Sequence, residues 1–268
     1  MTEKAWVPPA KVIDIHNHLF GEDDGSKMIE LMNRSHIETT LIMGTRHHGN
    51  DAVLRAVQKF PGRLVGGVYA DPRQGREAID TIRHYHGEGF RVVKLFPNFG
   101  YYPDDEELRP FFDAVGKLGM AVLSHCGWLG GSGANVAREE WAAYYSHPGR
   151  FEKVIRLYPS TVFILAHMGG IAGLLETVML TTRTANTFVD CSPGQGIWAL
   201  ETGGAIAGSV PAVKLMWGAD SSDQAYYMDR AAKALEKLGY GPNLDKIFYA
   251  NARGVLERIG AVPKAKAS

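Results

Sequence analysis

Two histidines one residue apart, His16 and His18, form the pattern in this chain that most directly predicts chemistry. They end the stretch 12–18, whose apolar positions are all β-branched, as a pleated strand prefers. Successive side chains of a strand point to opposite faces, so both imidazoles should point the same way. Gly21 and the acidic residues 22–24 follow, which places the pair at the carboxyl end of its strand. Two imidazoles there could hold one metal ion, although polar residues at a strand-to-loop exit are an equally ordinary interpretation.

Short apolar strands alternate with helical segments along the rest of the chain. We predict strands at 12–18, 39–44, 64–70, 91–96, 120–124, 162–166, 187–191 and 213–217. We predict helices at 26–35, 50–60, 76–86, 104–118, 150–158, 170–180, 196–207, 224–238 and 251–259. This alternation makes a parallel sheet, and eight strands predict a closed, single-domain (β/α)8 barrel, with a doubly wound open sheet as the alternative. We expect the barrel to span 1–260 and a polar tail to span 261–268.

The composition describes an ordinary globular protein and argues against several partner classes. The 268 residues are 45% hydrophobic and 22% charged, and 29 acidic residues balance 29 basic ones. A nucleic-acid binder usually carries a basic footprint, so we expect no nucleic-acid partner. No apolar run reaches the roughly 18 residues that a membrane helix needs, so we expect no membrane association. A small-molecule substrate is the partner that remains.

The cysteines and the first residues bear on the cellular compartment. The two cysteines, Cys126 and Cys191, do not make a disulfide framework. The first twelve residues lack the apolar segment of a signal peptide. We therefore expect a cytoplasmic protein.

Further polar residues stand at the ends of the later strands. Lys94 ends the fourth strand region, His125 follows the fifth, His167 follows the sixth and Asp220 follows the eighth. In a barrel the carboxyl ends of all strands meet at one mouth, so these residues should become neighbours of His16 and His18. Each alone could be an ordinary capping residue. Together, four histidines and one aspartate suit Zn²⁺, with Mn²⁺, Fe²⁺ and Co²⁺ as other metals that accept such ligands.

Several of these segments together resemble one known family. The sequence His16-Asn17-His18, the stretch LAHMGG at 165–170 and the stretch WGAD at 217–220 resemble the amidohydrolase superfamily. More narrowly, they resemble the amidohydrolase-related branch that includes aminocarboxymuconate-semialdehyde decarboxylase and several lactone hydrolases. Stretches 89–95, 147–150 and 249–252 match other landmarks of that branch, so the resemblance covers nearly the whole chain.

The resemblance implies roles for the residues at the strand ends. The metal ligands would be His16, His18, His125 and Asp220. His167 would act on the substrate or its attacking water, or would join the metal ligands. Many relatives are dimers or tetramers, so the chain could form a homo-oligomer.

Lys94 and three loop residues are the candidates for substrate binding. In two-metal members of the superfamily a carboxylated lysine bridges the ions from the fourth strand, but a charge that holds a substrate carboxylate is a more ordinary role for Lys94. Arg46 and His47 follow the second strand at the same mouth, where arginine suits bidentate carboxylate recognition. Trp128 lies in the aromatic loop after the fifth strand.

These residues define a catalytic hypothesis with two alternatives. Metal binding lowers the pKa of water toward about 7, and Asp220 would take the water proton and return it to the leaving group, which hydrolyses an ester, lactone or amide. The first alternative is a lyase that expels CO₂ from an unsaturated or aromatic carboxylic acid. The second is a non-catalytic barrel with a structural metal.

Overall fold

Eight parallel strands form the centre of the computed structural model, which describes residues 9–46, 49–129 and 142–264. Each strand pairs with the next in chain order from β1 to β8. The strands are β1 (Val12–Asn17), β2 (Ile37–Met43), β3 (Leu64–Tyr69), β4 (Val92–Leu95), β5 (Ala121–Ser124), β6 (Phe163–Leu165), β7 (Thr187–Asp190) and β8 (Leu215–Met216). The eighth strand is shorter than predicted, because residues Ala212–Lys214 form a 3-10 turn before it.

Backbone hydrogen bonds between the first and last strand regions close the sheet. The amide of Ile15 donates to the carbonyl of Trp217 at 3.2 Å, and the amide of Asp220 donates to the carbonyl of His16 at 2.7 Å. The predicted (β/α)8 barrel is therefore confirmed. The same seam holds Asp220 directly beside His16.

Helices connect the strands, as expected for parallel neighbours. They are α1 (Ser26–Arg34), α2 (Asn50–Lys59), α3 (Arg76–Gly87), α4 (Arg109–Lys117), α5 (Glu152–Leu157), α6 (Leu174–Arg183), α7 (Gln195–Thr202), α8 (Gly204–Ala207), α9 (Gln224–Lys237) and α10 (Asn251–Arg258). The predicted helix 196–207 is in fact two helices, broken where Gly204 takes a positive φ of 52°. None of the described helices is long and apolar enough to cross a membrane.

The apolar core has two layers, one inside the barrel and one between strands and helices. Ile13, Leu123 and Ile164 belong to the inner layer, which residues of α10 also join. The outer layer packs the opposite strand faces against the helices. The polar groups at the strand ends therefore lie above the inner apolar layer of the barrel.

A β-bulge in β1 decides which side chains reach the mouth. Asp14 pairs with Thr40 and Asn17 pairs with Ile42, so β1 takes one more residue than β2 between these pairs. Such bulges re-aim side chains. Ile15 stays in the inner apolar layer. The imidazole of His16 nevertheless also reaches the barrel interior, where its Nε2 lies 2.9 Å from Lys94 Nζ.

The bulge also separates Asp14 from the histidines whose face it would share in a regular strand. Its carboxylate accepts from the amide of His16 at 3.1 Å, from Asn17 Nδ2 at 2.7 Å and from the amide of Ala219 at 2.8 Å. Burial raises the pKa of Asp14 to about 7, while these three hydrogen bonds oppose the rise. Asp14 therefore braces the seam between β1 and the end of β8.

Candidate metal centre at the barrel mouth

The seam between β1 and β8 brings three predicted metal ligands together. His18 Nε2 lies 3.6 Å from Asp220 Oδ1, and His16 Nε2 lies 3.9 Å from the same oxygen. One possible ligand atom from each of the three residues lies within 4.8 Å of the other two. Two imidazoles and a carboxylate are a donor set that divalent transition metals accept. The structure thus contains a group that could hold a metal ion.

The outer nitrogens of the two histidines are held by groups that accept hydrogen bonds. His16 Nδ1 lies 3.0 Å from Asp190 Oδ2, and His18 Nδ1 lies 2.9 Å from the carbonyl of Met43. Because a carbonyl oxygen and an ionised carboxylate only accept, both Nδ1 atoms carry the hydrogen and both Nε2 atoms keep a lone pair. Metal-binding histidines are oriented in this way in proteins. The residues present therefore fit a divalent cation.

Burial keeps the imidazoles of His18 and His167 neutral at the mouth. It lowers the pKa of His18 to about 3 and that of His167 to about 4, because the uncharged interior disfavours the imidazolium form. At neutral pH their nitrogen lone pairs are therefore available to an ion or a proton.

Lys94 occupies the centre of the mouth. Its side chain is completely buried, and its Nζ lies 2.9 Å from His16 Nε2 and 4.8 Å from the centre of the Phe96 ring. Burial lowers the pKa of Lys94 to about 8. A single lone pair on His16 can serve the Lys94 ammonium or a metal ion, but not both. The location of Lys94 is compatible with both roles predicted for it, metal ligand and substrate-binding charge, and both remain predictions.

His125 and His167 form a second pair of neighbouring imidazoles at the mouth. His167 Nε2 lies 3.1 Å from His125 Nδ1 and 3.8 Å from Asp220 Oδ2. His125 Nε2 lies 3.1 Å from the carbonyl of Trp128, which can only accept, so Nε2 carries the hydrogen and Nδ1 offers a lone pair toward His167. Among the described residues, His125 belongs to neither of the two groups compact enough to share an ion, whereas His167 groups with His16 and Asp190.

Just after β6 and β8 the backbone adopts a left-handed conformation that few non-glycine residues adopt. His167, Met168 and Asp220 have positive φ angles of 57°, 56° and 38°. A non-glycine residue held there costs about 1–3 kcal/mol, and such strain concentrates at functional sites. Two glycines continue the left-handed turn after Met168, and a Cβ on Gly169 would lie 1.8 Å from Thr177 Oγ1. The glycines of the LAHMGG stretch are therefore needed to turn the chain after His167.

Two of the predicted substrate-binding residues, Arg46 and Trp128, are described in loops that follow the strand ends. The guanidinium of Arg46 stacks 4.8 Å from the centre of the Phe99 ring, and the side chain is exposed. Trp128 is 70% exposed, and its backbone carbonyl lies 3.1 Å from His125 Nε2. His47 lies outside the described residues.

Phe96 is a site residue that the sequence analysis missed. Its ring stacks on His125 with 5.8 Å between centres, and it lies 6.4 Å from the ring of His18. It directly follows β4, but an aromatic residue at that point carries no polar signal.

Asp190 and Ser192 were also missed. Asp190 ends β7, is completely buried and accepts from His16 Nδ1 and from the amide of His167 at 3.0 Å each. Burial raises the pKa of Asp190, but His16 and the hydrogen bonds to the carboxylate outweigh that effect and hold the pKa well below its ordinary value. The rule that selected the other polar residues at strand ends would have found Asp190. Nothing in the sequence singled out Ser192.

Comparisons with known proteins agree with this architecture. Residues 42–258 match the family model described as amidohydrolase, a range that begins within β2 and leaves His16 and His18 outside. No curated protein matches the chain by sequence.

Several solved structures share the fold at low sequence identity. A probable 2-pyrone-4,6-dicarboxylic acid hydrolase from Acinetobacter baumannii is 17% identical, with a TM-score of 0.62 over 93% of this chain and 99% of that one. The 5-carboxyvanillate decarboxylase of Sphingomonas paucimobilis is 14% identical, with a TM-score of 0.62 over 92% and 99%. The 4-oxalomesaconate hydratase of Rhodopseudomonas palustris is 17% identical, with a TM-score of 0.62 over 93% and 97%.

Proposed function

The chain belongs to the amidohydrolase family, as its motifs predicted, and on this basis we propose that it is a metal-dependent hydrolase of a small ester, lactone or amide. The observation that carries the proposal is the convergence of the His16 and His18 Nε2 atoms with the Asp220 carboxylate at the mouth of the barrel. Their outer nitrogens are already held by hydrogen-bond acceptors, so the inner ones offer lone pairs, that of His18 to a cation and that of His16 to a cation in place of the Lys94 ammonium.

We assign His16, His18 and Asp220 as the core of the metal site, with His125 as the further ligand that the family resemblance implies. Zn²⁺ is the proposed metal, because it accepts imidazole and carboxylate together, and Mn²⁺, Fe²⁺ and Co²⁺ are the competing candidates. When bound, a divalent ion would supply Lewis acidity toward water and a substrate carbonyl.

Asp220 is the proposed proton acceptor. Burial raises the pKa of its carboxyl, but attraction to the protonated forms of His16, His18 and His167 and to the Lys94 ammonium outweighs that effect and leaves the pKa below its ordinary value. The carboxylate is therefore ionised at neutral pH, and its side chain is 27% exposed, so water can reach it. It would take the proton of the attacking water and return it to the leaving group. His167, 3.8 Å away, would act on the substrate or on that water.

The groups proposed to bind substrate are Arg46, His47, Lys94 and Trp128, and Phe96 adds a flat apolar wall that stacks on His125 and lies 4.8 Å from Lys94 Nζ. Cationic side chains beside an aromatic wall suit a planar molecule that bears a carboxylate. This wall also favours the second candidate function, decarboxylation of an unsaturated or aromatic acid. Structures that share the fold carry the names of a hydrolase, a hydratase and a decarboxylase.

A substrate panel separates the two candidates. Protein loaded with Zn²⁺ or Mn²⁺ would be tested on lactones, esters, amides and unsaturated or aromatic carboxylic acids, with proton release and CO₂ release followed in parallel. We expect proton release from at least one lactone, ester or amide, and its loss in Asp220→Asn. Release of CO₂ from the acids with no hydrolysis of the other compounds would replace the proposal with the lyase.

A further inference from the structure

Behind His167, a serine hydroxyl bridges this imidazole to a buried carboxylate. Ser192 Oγ lies 2.8 Å from His167 Nδ1 and 2.5 Å from Asp190 Oδ1. All three side chains are buried, Ser192 and Asp190 completely. Which atoms carry the hydrogens in this chain of contacts decides what His167 can do at the mouth.

The donors around Asp190 fix its state. Oδ1 faces the backbone amides of His167 and Ser192 at 3.0 Å each, and an amide can only donate. Oδ2 faces His16 Nδ1 at 3.0 Å. Both oxygens are therefore acceptors, and Asp190 is a carboxylate with no hydrogen of its own to share.

The remaining hydrogens follow by elimination. The short contact between Ser192 Oγ and Asp190 Oδ1 needs a hydrogen, which only the serine can supply, so the hydroxyl donates to Asp190. Its oxygen then turns a lone pair toward His167 Nδ1, and that nitrogen must carry a hydrogen to bond with it. We infer that Ser192, oriented by Asp190, is a positioning residue that holds His167 in the Nδ1–H tautomer, with the Nε2 lone pair facing the mouth.

This assignment narrows the role of His167. While neutral, its Nε2 can bind a cation or accept a proton, but it cannot donate a hydrogen bond to a substrate carbonyl. The same lone pair faces the lone pair of His125 Nδ1 across 3.1 Å, because the carbonyl of Trp128 holds the His125 hydrogen on Nε2. These two lone pairs repel each other, so in the metal-free protein the hydrogen bond from Nδ1 to Ser192 must outweigh that repulsion, and a cation bound to both nitrogens would relieve it. The inference goes beyond the proposed function and holds equally for hydrolysis and decarboxylation.

Nitrogen NMR tests the tautomer without any knowledge of the substrate. Protein labelled with ¹⁵N-histidine and treated with a chelator would be studied by long-range ¹H–¹⁵N correlation, with the His167 signals identified by their loss in His167→Asn. We expect the Nδ1–H pattern for His167 in the wild type. In Ser192→Ala the hydrogen should move to Nε2, where it can donate to His125 Nδ1. Ser192→Thr, which keeps the hydroxyl, should restore the wild-type pattern.

A matched control removes a buried hydroxyl that touches no imidazole nitrogen. Ser124 lies at the end of β5 and donates to the carbonyl of His125 at 3.1 Å, so Ser124→Ala should leave the His167 tautomer unchanged. An Nε2–H pattern for His167 in the wild type would overturn the inference, as would an unchanged Nδ1–H pattern in folded Ser192→Ala. Neither result depends on catalysis, so this test can fail while the proposed hydrolase activity stands, and the reverse.

Discussion

The ends of β7 and β8 carry the same residue type in two different environments. Asp190 at the end of β7 is completely buried, and its oxygens accept hydrogen bonds from His16, Ser192 and the amide of His167. Asp220 beyond β8 is 27% exposed, and the imidazole nitrogens paired with its oxygens lie 3.6 to 3.9 Å away. Both carboxylates are ionised at neutral pH, because their pKa values lie below the ordinary value in spite of burial.

This difference in environment predicts different roles for Asp190 and Asp220. A carboxylate whose lone pairs are already taken can orient its neighbours but cannot accept a proton without breaking those bonds. A carboxylate with loose contacts and access to water can bind a cation and exchange a proton. Asp190 at the end of β7 therefore orients the imidazoles, and Asp220 beyond β8 is the carboxylate suited to binding a cation and exchanging a proton.

Asp220→Asn should have the largest effect on turnover. Because the amide cannot take a proton from water, kcat on a substrate found by the panel should fall about 10³-fold. The fold should survive, since within the described part of the chain the imidazole nitrogens paired with the Asp220 carboxylate lie 3.6 Å or more away, too far for a strong hydrogen bond. Steady-state kinetics together with thermal melting would measure both effects. Full turnover in Asp220→Asn would mean that Asp220 is not the proton acceptor, and the proposed difference in role between Asp220 and Asp190 would be wrong.

Asp190→Asn should act through metal affinity and stability. The side-chain amide of the new asparagine carries hydrogens, and one of its two atoms would face groups that also donate. His16 Nδ1 would then lose its acceptor, and the ring would lose its fixed orientation. Metal affinity should fall between about 10-fold and 100-fold. Stability should fall by about 2 kcal/mol, because hydrogen bonds to a buried charge are lost. Chelator competition and urea unfolding are the measurements. An Asp190→Asn variant with normal metal affinity and no turnover would instead place Asp190 in the chemistry itself.

Lys94→Met tests the group that now shares the His16 lone pair. If the Lys94 ammonium competes with the ion, its removal should raise Zn²⁺ affinity by about tenfold. Calorimetric titration of chelator-treated protein with Zn²⁺ would show the change. A loss of bound metal would make Lys94 a ligand, which is the other role the family resemblance allows.

Gly218→Ala should have the most local effect, a loss of stability confined to the seam that holds the β8 end in place. A Cβ there would lie 2.7 Å from His16 Cβ, so β1 and β8 would have to move apart. Overpacking of this kind costs about 1–3 kcal/mol, and the melting temperature should fall by about 5 °C. Gly116→Ala in α4 is the matched control, because its nearest contacts would be ordinary ones at 3.5 Å and alanine favours a helix. Equal melting temperatures for the two variants would mean that the seam is not tightly packed.

Much of this architecture can be predicted from sequence, because the signals are local. Apolar runs mark buried strands, and polar residues just beyond them mark the mouth, which is how His16, His18 and Asp220 were selected before any contact was known. The same rule applied to Thr187–Asp190 would have added Asp190.

What sequence could not predict depends on register and on contacts between distant segments. The bulge in β1 arises from its pairing with β2, so the different environments of Asp14 and His16 could not be read from alternation alone. Ser192 matters only because the end of β7 passes behind His167, and Phe96 only because its ring stacks on His125 at the end of the neighbouring strand. Helix ends were misplaced where 3-10 turns precede α5 and α6.

Titration of the chelator-treated protein with Zn²⁺, compared with the folded His16→Ala and His18→Ala variants, tests the central claim most directly. If the inward nitrogens and the Asp220 carboxylate form a metal site, the wild type should bind the ion stoichiometrically and both variants should bind it far more weakly. Equal binding by all three proteins, or substoichiometric binding by the wild type in repeated preparations, would contradict the account.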